Sequence, residues 1–68
     1  MNHSIDIRQA LGKFEVTLSD PAGRVVEQQE FDTSEDAIGF AGLRMAVRPS
    51  DYIDGYHNAK VFLGHLPA

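Results

Sequence analysis

Hydrophobic and polar residues alternate along the first third of the chain. Ile5 and Ile7 fall on one side of Ser4–Gln9, with Asp6 and Arg8 on the other. A two-residue period of this kind predicts a half-buried strand. Leu11-Gly12 reads as a turn, and Lys13–Ser19 alternates more cleanly: Phe14, Val16 and Leu18 against Lys13, Glu15 and Thr17. Asp20-Pro21-Ala22-Gly23 then predicts a hairpin, because proline presets φ and glycine supplies a positive one. The returning strand, Arg24–Phe31, is apolar only at Val25, Val26 and Phe31. Its centre, Glu27-Gln28-Gln29-Glu30, suits a sheet edge, where charge discourages unwanted pairing.

At Phe31-Asp32-Thr33-Ser34-Glu35-Asp36 the pattern changes to a helix start. Asp32 or Thr33 can cap free N–H groups, and Glu35 and Asp36 suit the positive end of the helix dipole. The helix is expected from Ser34 to Ala46 or Val47, where Pro49 prevents much continuation. At 100° per residue it carries two apolar stripes, Ile38, Ala41 and Met45 on one, Phe40, Leu43 and Val47 roughly 160° away. One stripe serves a sheet; the other needs a cover, either the tail through Tyr52, Ile53 or Leu66, or another chain. Gly39 and Gly42 inside this helix point either to a close approach to its backbone or to a marginal helix that tertiary packing tolerates. Beyond Pro49, Asp54-Gly55 between Tyr52-Ile53 and Tyr56 predicts a small hairpin or irregular loop, and Lys60–Leu63 a short final strand. The expected fold is a single α+β domain over residues 1–68, a small antiparallel sheet in the order β-β-β-α-β with one helix on one face.

Composition narrows what such a domain can do. The 68 residues include no cysteine, so neither a disulfide nor thiolate chemistry is available. No apolar run approaches the ~20 residues needed to span a bilayer, and the N-terminus lacks the basic and apolar parts of a signal peptide, which predicts a cytoplasmic protein. Ten acids against six scattered bases give a net charge of −4. That balance disfavours direct nucleic-acid binding, which draws on a concentrated basic patch, and favours a protein partner with a basic surface.

Candidate chemistry is sparse. Asp51, Asp54 and His57 would share a helix face, but Pro49 and Gly55 argue for a solvated loop there, and no metal or cofactor is expected. His57 has no serine partner, His3 and His65 lie near the ends, and an enzyme is not expected. Glu27, Glu30, Asp32, Glu35 and Asp36 place five acids in ten residues without a base. They form a candidate contact surface with Phe40 and Leu43, and with Tyr52 and Tyr56, since tyrosine offers a large contact area at low entropic cost.

The segment Glu30-Phe31-Asp32-Thr33-Ser34-Glu35-Asp36-Ala37, within a wider stretch from Val25 to Met45, resembles the strand-to-helix junction of small phage-encoded anti-CRISPR proteins that act on type I surveillance complexes. Small size, lack of cysteine and acidity are similar too. The resemblance implies a stoichiometric inhibitor that binds Cas subunits and blocks DNA engagement. Self-association through the helix, as a homodimer, is the alternative expectation, with a ββα-type nucleic-acid-binding module behind it.

Overall fold

The computed structural model describes residues 3–67. Met1 and Asn2, which the signal-peptide reading includes, lie outside the described residues, as does Ala68. Three strands, β1 (Ser4–Ala10), β2 (Lys13–Ser19) and β3 (Val25–Phe31), form an antiparallel sheet in the order β1-β2-β3. Two helices follow, α1 (Ser34–Val47) and α2 (Pro49–Phe62). The fold class is α+β, as the hydrophobic pattern predicts.

The first hairpin turns at Leu11 and Gly12, with φ of 53° and 75°. Two consecutive positive values are what a type I′ turn requires, and that turn matches the twist of its strands. Leucine is a poor occupant of the left-handed region, and its side chain is fully exposed. Ala10 and Lys13 close the turn, so they exchange both ladder hydrogen bonds. Strict alternation then aims the N–H and C=O groups of Ile5, Ile7 and Gln9 away from β2, toward the outer edge of the sheet.

At the second turn the Asp20 carboxylate accepts from the N–H groups of Ala22 and Arg24 at 3.0 and 2.9 Å, and Gly23 takes φ of 88°. The register shifts between Leu18 and Ser19, so that Ser19 pairs with Val25 while Leu18 pairs with Glu27. Val26 is the extra residue.

The strand faces separate as predicted. Ile5, Val16 and Leu18 are buried, joined by Ala37, Ala41 and Tyr52 from the helices. Thr33 caps α1, its hydroxyl accepting from the Asp36 N–H at 3.2 Å. The helix rests on the sheet through Ala37 and Ala41, which permit close approach, while Phe40 tilts onto Phe31 at a ring separation of 5.3 Å. Of the two readings for the helix glycines, Gly42 takes the close approach: a Cβ there would meet the Tyr56 hydroxyl at 3.2 Å. Gly39 is not, having nothing within 4 Å.

The expectations beyond Pro49 need correction. The hairpin or loop at Asp54-Gly55 and the final strand over Lys60–Leu63 are replaced by one helix, α2, that runs through Phe62. Pro49 ends α1 but also opens α2, because the first helical position needs no N–H. Gly55 sits mid-helix for a packing reason. A Cβ at that position would lie 3.0 Å from both the N and O of Ile5. Only glycine lets α2 lie this close to the backbone of β1.

Candidate functional site

The predicted contact residues do not form one surface. Glu27 is taken up inside the fold: Arg44 grips it with two hydrogen bonds of 2.7 and 2.8 Å. The same guanidinium stands 4.7 Å from the centre of the Phe40 ring. A bidentate pair of this geometry orients both partners more firmly than a single contact. Asp32 accepts from Lys13 at 2.6 Å, and that ammonium holds its carboxyl below the usual carboxylate range. Both groups remain well exposed, so the contact adds little to stability.

Glu30 lies on the solvent face of the sheet, directly opposite Glu15. Glu35 and Asp36 occupy the exposed first turn of α1, with the Ser34 hydroxyl 3.5 Å from Glu35. Glu30, Glu35 and Asp36 are therefore the acids of this segment that face solvent without a salt bridge among the described residues, Glu30 lying within electrostatic reach of Lys13.

The tyrosines divide. Tyr52 is 4% exposed and belongs to the core, where His3 meets its ring edge-on at 5.8 Å. Burial raises its hydroxyl above the ordinary tyrosine range, with the nearby Asp51 and Glu27 charges adding to the effect and Arg48 and Arg44 opposing it. Tyr56 is half-buried over Gly42, with the Lys60 ammonium 4.9 Å from its ring centre. Phe40 is half-buried as well. Asp51, although on a helix after all, is turned toward His3 and Arg48, at 3.4 and 3.5 Å. Among the described residues, Asp51, Asp54 and His57 do not converge as a metal site.

What remains uncovered is the outer stripe of α1. Leu43 is 67% and Val47 75% exposed. The tail does not lie over them, because Tyr52 goes into the core and Ile53 points to solvent. Val26, the bulged residue of β3, shares a shallow groove with Val47, with Glu27, Arg44 and Arg48 along its sides. The result is an aliphatic strip with Glu35 and Asp36 at one end and Arg48 at the other. Sequence periodicity located Leu43 and Val47; Val26 escaped it, because a bulge breaks the two-residue period.

Compared with family models, curated proteins and solved structures, the chain matches none. No helix among the described residues is long and apolar enough to cross a membrane.

Proposed function

We propose that this chain is a small protein-binding domain that works by stoichiometric contact in the cytoplasm. Its contact face is the outer stripe of α1, taken up by a partner that offers an apolar strip with a basic flank. The carrying observation is the exposure of Leu43 and Val47, one helical turn apart, beside Val26. Large aliphatic side chains grouped on a surface gain most when a partner removes them from water. Glu30, Glu35 and Asp36 supply the charge that selects a basic flank and speeds encounter.

The narrower form of this reading is an inhibitor of a type I CRISPR-Cas surveillance complex, supported by the resemblance between Val25 and Met45. Its acids would then occupy a surface that otherwise engages DNA phosphates. Capture of a purified type I complex on the immobilised domain tests it, and failure with every subtype removes it.

For the broader reading, the double variant Leu43→Glu, Val47→Glu keeps the far-UV circular dichroism and melting of the parent, because both side chains already face water. Partner capture drops by at least about tenfold, as for the loss of a central contact cluster. Undiminished capture by a folded double variant overturns the α1 face. Self-association has its own support: two α1 helices packed antiparallel set Asp36 of one copy near Arg48 of the other. Sedimentation across a concentration series distinguishes this case, since only a homodimer gains mass without a partner.

A further inference from the structure

A second surface lies at the opposite edge of the sheet. The free edge of β1 carries the outward N–H and C=O groups of Ile7 and Gln9, which the type I′ hairpin directs away from β2. At Ile5 the edge is closed by α2, through the contact that requires Gly55. Further along, the far end of α2 stands off from the strand. Phe62, 59% exposed, forms one wall of a groove whose other wall is Asp6–Gln9, with Thr17 of β2 behind it. Toward Ile5 the groove continues past Asn58 and Ala59. An open strand edge flanked by a helix, with an apolar side chain over the gap, has the form of a strand-addition site.

We infer that the groove between β1 and α2 binds an extended peptide segment of a partner protein, added antiparallel to β1 through the main chain of Ile7 and Gln9. The unpaired donors and acceptors call for another backbone, since no side chain supplies both at strand spacing. The β3 edge differs: its start is occupied by the Glu27–Arg44 pair with α1, and Glu30 places a charge further along, as a protected edge would.

The register fixes the peptide pattern. A residue paired with Ile7 points to the same face of the sheet as Ile7, the face that carries the core, and is apolar. Its neighbours point to the other face, the preceding one beside Arg8 and the following one beside Asp6. The favoured core is therefore acid, apolar, base. This site is separate from the α1 face and stands whether or not that face binds.

The probe is the capped hexapeptide acetyl-Thr-Val-Glu-Val-Lys-Thr-amide, titrated into the ¹⁵N-labelled full chain to millimolar concentration, where weak complexes populate. Amide shifts concentrated at Ile7, Gln9, Asn58 and Phe62, with slowed hydrogen exchange at Ile7 and Gln9, are expected. Phe62→Ala and Gln9→Pro should each weaken binding at least about tenfold while preserving the fold. The first removes a mostly exposed ring, the second an outward N–H that the β1–β2 ladder does not use. Exchange of the Glu and Lys positions in the peptide should weaken it about threefold or more, as a misplaced exposed charge pair would. Absence of shifts at millimolar peptide, or equal binding by both folded variants, overturns the inference. So does protection of Ile7 and Gln9 that grows with protein concentration alone, which would assign the edge to a second copy.

Discussion

Replacing Tyr52 with alanine should leave the chain largely unfolded at room temperature. The side chain is 4% exposed and packs with Ile5, Val16, Leu18, Ala37 and Ala41. Truncating a buried aromatic residue to alanine costs about 3–5 kcal/mol. A single core in a domain of this size rarely supplies more than about 3–5 kcal/mol in total. The two figures are comparable, so loss of the cooperative melting transition is expected, and a transition retained within a few degrees of the parent would show that Tyr52 is not the keystone of the core. Tyr52→Phe separates the ring from its hydroxyl and should melt close to the parent.

The hydroxyl adds a pH signature. An unfolded tyrosine ionises near pH 10 by its reference value of about 10. Burial, aided by nearby carboxylates, holds Tyr52 neutral above that. The folded state thus resists giving up a proton that the unfolded state releases freely. Its contribution is whole below pH ~10 and falls away as pH rises through that value toward the folded pKa. Denaturant midpoints taken between pH 8 and 11 should drop at the alkaline end, and the drop should disappear in Tyr52→Phe.

Gly55→Ala should destabilise the domain, although alanine is the better helix former. The intrinsic gain is roughly 1 kcal/mol. Against it stands a new methyl group 3.0 Å from two backbone atoms of Ile5, which cannot rotate away. Overpacking of this kind costs about 1–3 kcal/mol, so the net change is a loss that grows as α2 is pushed off β1. Gly39→Ala is the matching control. Nothing lies within 4 Å of its new Cβ, so it should gain the helix term and raise the melting temperature by roughly 4–8 °C, the shift expected per kcal/mol in so small a domain. Equal effects at the two positions, measured by thermal melts, would show that the contact with Ile5 does not discriminate them.

These glycines also explain what could be read from the chain in advance. The three strands announced themselves because Ile5, Val16 and Leu18 alternate with polar neighbours over enough residues to define one buried face. The start of α1 was legible because Thr33 capping and acids in a first turn are local chemistry. Helix α2 was hidden because its buried face is built from Tyr52, Gly55 and Ala59, two of which carry almost no side chain. Asp54-Gly55 then resembled a turn, and the reason for Gly55 lies fifty residues away at Ile5. Of the candidate contact surface, Leu43 was found from periodicity. The acids were found as a run, but Glu27 and Asp32 turned out to face Arg44 and Lys13, partners distant in sequence. Tyr52 looked like a contact residue because an isolated tyrosine gives no sign of which way it will point.

The pairing of α2 with β1 joins the last helix of the fold to its first strand. The contacts within the sheet, and those between α1 and the sheet, form between segments made earlier. The β1–α2 contact must wait until α2 has been made, and bringing such distant segments together is the slow part of folding. Until then Ile5 lacks the cover that α2 gives it. The last helix of the fold is thus the one that closes the start of its first strand.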